Sequence, residues 1–295
     1  MFEKQMNIMA HNPGFVAALD QSGGSSPKAL KAYGVGREAY DSEDEMFQLI
    51  HQMRTRVVTS PAFTNERVLG AILFEQTMDR TVGDLHTADY LWKKKGIVPF
   101  LKVDKGLAPE DRGVRLMKPN PDLDQLLQRA IERNVFGTKM RSVISEADPA
   151  GIAAIVQQQF EWGTVILEAG LIPILEPEVD IGSPDKNQSE ELLKTVIMKH
   201  LATLPKGRRI MLKLSLPTVP DFYADLIAHP NVLRVVALSG GYSRDEACRL
   251  LEQNPGLIAS FSRALLEGLH AEQTDAEFNQ MLGDSIEQIY QASVR

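Results

Sequence analysis

The sequence predicts a parallel (β/α)₈ TIM barrel, and three observations predict it. Short apolar, β-branched runs recur eight times, each ends in a charged residue or a Ser/Gly cluster, and each is followed by a stretch long enough for a crossover helix. In chain order the runs are Phe15 to Leu19, Leu69 to Phe74, Ile97 to Leu101, Val135 to Thr138, Leu171 to Leu175, Ile210 to Leu212, Val232 to Leu238 and Leu257 to Phe261. The polar residues that close them are Asp20, Glu75, Asp104, Lys139, Glu176, Lys213, Ser239 and Arg263. No gap is short enough for a hairpin, so the pattern calls for parallel strands joined by helices. A doubly wound open sheet satisfies the same alternation and is the alternative.

The gaps carry their own helix signals. Ser42-Glu-Asp-Glu45 is a capping box ahead of Met46, Leu49, Ile50 and Met53, and it lies in the longest gap, which implies an extra helix. Asp148-Pro149 reads as an N-cap with proline at the first helical position. Ile152, Ile155, Val156 and Phe160 mark one face of that helix, and Gly170 ends it. Ser243-Arg-Asp-Glu246 is a second capping box, before Ala247, Leu250 and Leu251, and Thr274 to Glu277 opens a last helix through Phe278, Ile286 and Ile289.

Composition narrows the class. The 295 residues carry 32 Lys+Arg against 39 Asp+Glu, a net charge of −7, which disfavours a nucleic-acid or anionic-membrane binder. With 43% hydrophobic residues the chain can build a large core, and no Pro/Ser/Gly-rich linker divides it, so one domain over 1–295 is expected. No apolar run approaches the roughly 18 residues of a membrane span. A lone cysteine, Cys248, and an N-terminus without a signal-peptide pattern favour the cytoplasm. Amphipathic helices leave a homo-oligomer open.

In such a barrel the chemistry gathers at the C-terminal ends of the strands, and residues i and i+2 point to the same side. Lys102-Val-Asp104, Lys139-Met-Arg141 and Glu176-Pro-Glu178 would each aim two charges at the mouth, and Lys213 is a lone lysine in an apolar strand. Flanked by Leu212 and Leu214, Lys213 loses solvation, which disfavours its charged form, and a nearby Lys139 pushes the same way. A free amine is a nucleophile for a carbonyl substrate. A lysine whose head reaches a core carboxylate fits the strand equally well. Glu176 and Glu178, in different surroundings, can divide into acid and base, or form salt bridges. Asp20 can take a hydroxyl proton or cap the Gln21-Ser-Gly-Gly-Ser25 turn.

Two small-residue clusters suit anions: Ser239-Gly240-Gly241 after the seventh run, and Ser260-Phe-Ser-Arg263 at the eighth. Ser22-Gly23-Gly24-Ser25, with Lys102, offers a second such site. The six histidines are dispersed without ligand spacing, so no metal and no cofactor is expected. Gly34-Val-Gly36 lacks a preceding strand and reads as a turn, and Cys248 reads as a packing residue.

At these positions the chain resembles the class I, Schiff-base fructose-1,6-bisphosphate aldolases, in particular their short bacterial form. The resemblance runs in order through Ala18-Leu-Asp20-Gln-Ser22, Leu101-Lys-Val-Asp-Lys-Gly106, Phe136-Gly-Thr-Lys139-Met-Arg141, Ile174-Leu-Glu176-Pro-Glu178, Met211-Leu-Lys213, Leu238-Ser-Gly-Gly241 and Ser260-Phe-Ser-Arg263-Ala-Leu265. It implies metal-free, reversible cleavage of fructose 1,6-bisphosphate to dihydroxyacetone phosphate and glyceraldehyde 3-phosphate. It assigns Lys213 to the Schiff base, Glu176 to proton transfer with Glu178 beside it, Lys139 to the second lysine and Asp20 to the C4 hydroxyl. Ser239, Gly240 and Arg263 fall to the C1 phosphate, and Ser22, Ser25 and Lys102 to the C6 phosphate on the opposite side. Two departures stand out. The chain ends Gln291-Ala-Ser-Val-Arg295 without the animal enzymes' terminal tyrosine, and Ser262 replaces a glycine of their phosphate loop. Competing readings are another Schiff-base lyase, transaldolase-like, and a non-catalytic sugar-phosphate scaffold.

Overall fold

A computed structural model describes residues 1–295. Eight parallel strands run in the order of the chain: β1 Phe15–Leu19, β2 Val68–Leu73, β3 Val98–Lys102, β4 Gly137–Ile144, β5 Ile172–Val179, β6 Ile210–Ser215, β7 Val232–Leu238 and β8 Ile258–Ala259. Each pairs with the next. The ring closes where Ala18 of β1 donates its N–H to Phe261 O, 3.1 Å away, just past β8. The sequence pattern therefore yields the barrel and not the doubly wound sheet, because a closed ring leaves no unpaired edge.

Two strands match the apolar runs end to end, β1 and β7. Strands β4, β5 and β6 differ in the same way. β4 starts at Gly137 and continues through Lys139, Arg141 and Ser142, whereas the apolar run stops at Thr138, and β5 and β6 likewise extend past their last apolar residues. These extensions carry charge because their side chains line the mouth, where other charges meet them. β8 shrinks to two residues, since Ser260 and Phe261 turn into the following loop.

The crossovers follow the helix signals. Asp148 accepts a hydrogen bond from Gly151 N at 2.7 Å and caps the helix Pro149–Glu168, with Gly170 at φ +85° beyond its end. The box at Ser42 is complete and opens Glu43–Thr59, and that at Thr274 opens Asp275–Ser293. At Ser243 only half of the expected box forms: Ser243 caps Glu246 N, but the Glu246 carboxylate turns to Arg249 instead. The long first gap holds the extra helix, Ser26–Ala32. Gly34 is a turn residue at φ +86°. Cys248 is buried in the helix Arg244–Leu251, and burial pushes its thiol up to about 12, in keeping with packing.

Eighty buried apolar residues form one connected core. At its base Phe100 of β3 projects between two glycines on neighbouring strands. A Cβ on Gly70 would lie 3.0 Å from the Phe100 ring, and one on Gly137 would lie 3.0 Å from that ring and 2.2 Å from Ile172 O. Phe100 also meets Phe136 edge-on at 5.6 Å, and Phe2 of the N-terminal helix Phe2–His11 covers Phe136 at 5.1 Å. The missing side chains make the room that the aromatic ring fills. Gly137→Ala should therefore destabilise the fold by at least about 1–3 kcal/mol in thermal or denaturant unfolding. Gly24→Ala, where nothing lies within 4 Å, should stay within about 0.5 kcal/mol.

Candidate active site

Strand alternation explains why the charges converge. In β6, Leu212 and Leu214 face the surrounding helices while Lys213 faces the barrel axis. The register sets Lys102 of β3 beside Lys139 of β4, two inward cations on adjacent strands. Two like charges in a buried layer require counter-charges. Asp104 supplies one to Lys102, and Asp20, just past β1, with Glu176 of β5 supplies Lys139. Lys139 Nζ lies 2.6 Å from Asp20 Oδ2 and 2.8 Å from Glu176 Oε2, and Lys213 Nζ lies 2.9 Å from Glu176 Oε1. All four groups are buried. The order Asp20, Lys139, Glu176, Lys213 is a line of alternating charge across the mouth. The Glu176 Oε2 contact is ionic but not directed, so that oxygen has no hydrogen-bond donor aimed at it.

Burial alone would raise Asp20, but Lys139 and Lys213 outweigh it and hold the carboxyl well below the usual range. Glu176 is lowered in the same way, against its burial, by Lys139 and Lys213. Burial would depress Lys139, yet Asp20, Glu176 and Asp104 overcome it and raise the amine above the ordinary lysine range. Lys139 is thus a fixed ammonium. Of the two readings of Lys213, the structure shows the one in which its head reaches a core carboxylate, Glu176, while the flanking leucines belong to the opposite face of the strand.

The i, i+2 pairs behave differently from one another. Lys102 and Asp104 do meet, as Lys102 Nζ donates to the Asp104 carboxylate and to its carbonyl at 3.0 Å. Asp104 also accepts from Gly106 N at 3.2 Å and Arg141 N at 3.1 Å, tying the end of β3 to β4. Lys102 is thereby buried, with its hydrogen bonds going to Asp104. Glu178 pairs with Arg141 at the half-open rim, apart from the lysine cluster. Asp104 is the member that the sequence reading left out of the site, although its Lys-x-Asp spacing was the available signal.

Ser239 is buried, and Gly240 and Gly241 follow at φ +62° and +131°. These are conformations that glycine adopts readily. The Arg263 guanidinium stands 3.6 Å from where a Gly241 Cβ would be, exposed and without an ion-pair partner. Ser260 is buried with no partner for its hydroxyl. Ser22 and Ser25 close a turn on each other, Ser22 N donating to Ser25 Oγ at 3.0 Å. This turn follows β1, the neighbour of β8, and Gln21 Nε2 donates to Ser262 Oγ at 2.7 Å. The loop after β1 and the loop after β8 therefore meet at Gln21. No group of three or more His, Cys, Asp or Glu side chains is placed to hold a metal ion.

The family described as fructose-bisphosphate aldolase class-I matches this chain over residues 2–216, a span that includes Asp20, Lys102, Lys139, Glu176 and Lys213. The chain belongs to that family. The match extends to full length in individual relatives. Proteins named fructose-bisphosphate aldolase class 1 are 59% identical over all 295 residues in Porphyromonas gingivalis, covering the whole of both chains, and 60% identical over 292 residues in Synechocystis sp., covering 99% of this chain and 97% of that protein. A third, from Clostridium acetobutylicum, is 58% identical over 294 residues and the full length of both. Among solved structures, a fructose-bisphosphate aldolase from Plasmodium falciparum superposes with a TM-score of 0.75 at 18% identity, covering 100% of this chain and 96% of that one. At that identity it speaks for the shared barrel fold.

The charge line carries a stability consequence with a definite sign. Asp20, Glu176 and Asp104 are lowered on folding, so their contribution is complete above about pH 5 and drains as pH falls. Lys139 is raised, so its contribution is complete below about pH 10 and is lost above it. Lys139→Met leaves two buried carboxylates without their shared cation and should cost about 3–5 kcal/mol at pH 7. Because those carboxyls then bind protons more readily folded than unfolded, the variant's melting temperature should rise between pH 7 and 5, while that of the unaltered protein does not.

Proposed function

We propose that the protein cleaves fructose 1,6-bisphosphate reversibly into dihydroxyacetone phosphate and glyceraldehyde 3-phosphate through a Schiff base on Lys213. The observation that carries this reading is the 2.9 Å contact between Lys213 Nζ and Glu176 Oε1 inside the alternating charge line of an aldolase-family barrel. Glu176 stands where it can receive the Lys213 proton as the amine attacks a carbonyl and return it when water leaves.

The proton accounting then runs through Glu176. Lys213 gives its proton to Glu176 and attacks the C2 ketone, and Glu176 returns a proton to the carbinolamine hydroxyl as water leaves. Lys139 stays an ammonium throughout and holds Asp20 and Glu176 in place. As the C3–C4 bond breaks, its electrons flow into the iminium and the C4 hydroxyl proton passes to Asp20, which its cationic neighbours keep ionised. Glyceraldehyde 3-phosphate departs, Asp20 releases its proton to solvent, the enamine carbon takes up one proton from solvent, and water adds to the regenerated iminium to free Lys213 and dihydroxyacetone phosphate.

Phosphate groups at both ends give the substrate handles far from the reacting carbon, which is where positioning energy is most useful. The free Arg263 fork beside Gly241, with Ser239, Gly240 and Ser260, supports the C1-phosphate role, and Ser22 and Ser25 remain the proposed C6-phosphate contacts. Lys102, held by Asp104, acts in this reading through its charge on the cluster. Arg141 and Glu178 shape the rim. No helix is long and apolar enough to cross a membrane, and the lone buried cysteine supports placing the reaction in the cytoplasm.

Borohydride reduction in the presence of dihydroxyacetone phosphate should add one adduct, visible by intact mass and mapped to Lys213, and Lys213→Ala should abolish it with the fold retained. An adduct on Lys139 would overturn the assignment. Arg263→Ala should weaken dihydroxyacetone phosphate binding by about 10- to 150-fold, the loss of a charge-assisted fork worth about 1.5–3 kcal/mol, and glyceraldehyde 3-phosphate far less. Arg263→Lys should recover only part of it.

A further inference from the structure

A hydrogen-bonded chain outside the charge line joins three elements that the reaction steps do not use. Arg54, in the helix Glu43–Thr59, is 1% exposed. Its Nη2 donates to Gln21 O at 2.6 Å and to Gln21 Oε1 at 3.0 Å, and its Nη1 donates to Thr77 Oγ1 at 2.5 Å. Gln21 Nε2 then donates to Ser262 Oγ at 2.7 Å. No carboxylate touches the guanidinium. Burial lowers it to about 10, and Asp20 is the charge that pulls it back up. A buried arginine held by neutral acceptors is costly, and its placement asks for a purpose.

The purpose follows from donor polarity. A guanidinium only donates, so Gln21 must turn its amide oxygen toward Arg54. Its NH₂ group therefore faces Ser262, and Ser262 Oγ is obliged to accept. The hydroxyl proton of Ser262 is left over, and the structure gives it no acceptor. Ser262 immediately precedes Arg263, whose guanidinium faces Gly241. We propose that Arg54 and Gln21 are positioning residues that orient Ser262 as a hydroxyl donor to the phosphate of the ketose end, beside Arg263. This rests on the functional reading above. It also accounts for a serine at a position where related phosphate loops have glycine: the side chain is the last link of a polarised relay, and it supplies a donor that glycine lacks.

A double-mutant cycle tests the relay. Ser262→Ala removes the donor, and Gln21→Met removes the amide while keeping its bulk. Dissociation constants for dihydroxyacetone phosphate and glyceraldehyde 3-phosphate are measured on both variants, on the double variant and on the unaltered protein, with melting temperatures as a check on folding. Each single change should weaken dihydroxyacetone phosphate binding by about 5- to 10-fold and leave glyceraldehyde 3-phosphate within about 2-fold. In the Ser262→Ala background, Gln21→Met should add no more than about 2-fold. Arg54→Lys, which cannot hold both Gln21 oxygens and Thr77 together, should resemble Gln21→Met. Multiplying effects, equal weakening of both ligands, or an unaffected Ser262→Ala would overturn the relay while the aldolase reading stands. If the unaltered protein binds no dihydroxyacetone phosphate, the functional reading fails and the relay falls with it.

Discussion

The pairing of Lys139 with Asp20 and Glu176 is the interaction on which the rest of the site depends. An ammonium in a closed barrel is tolerable only with counter-charge at contact distance, and each carboxylate needs a cation in turn. One lysine between two acids and a second lysine beyond them gives every charge a counter-charge at contact distance. The arrangement is also chemically useful, because the terminal pair, Lys213 and Glu176, can exchange a proton without disturbing the neighbours that fix them. Stability and the proposed reactivity come from the same contacts.

The barrel makes this line possible by its geometry. Strands β1, β4, β5 and β6 are far apart in sequence, yet the ring turns their inward residues toward one axis. Phe100, set between Gly70 and Gly137, fills the base of the same interior. Apolar packing therefore closes the lower part of the barrel and leaves the upper layer to the charges. The charged layer is buried, and at the rim above it Arg141 stays partly exposed. Low local polarity strengthens each charge contact and sharpens the cost of leaving one unmade.

Neighbouring loops extend the same logic to the ends of the substrate. The β1–β8 seam closes through a backbone hydrogen bond at Ala18 and Phe261 and continues through Gln21 and Ser262. The loop after Asp20 and the loop that carries Arg263 are thereby joined, so the proposed proton acceptor and the proposed phosphate grip share one rigid support. A buried arginine with no direct ionic partner anchors that support from the helix layer.

Much of this was legible along the chain. Eight apolar runs and their helix-length gaps called for parallel strands joined by helices, in a barrel or a doubly wound sheet, and ordered short motifs around Asp20, Lys139, Glu176 and Lys213 marked the family. Local capping signals located the main helices, because a cap needs only residues within one turn. The tertiary structure decided the rest. It showed which carboxylate Lys213 meets, Glu176, that Lys102 pairs with Asp104, and that the loops after β1 and β8 meet through Gln21 and Ser262. Nor does any local pattern join Arg54 to Gln21 and Ser262. Hydrophobic periodicity reports which way a side chain faces; which buried charge or donor it meets depends on groups brought to the same axis from distant strands, and only the closed ring sets those distances.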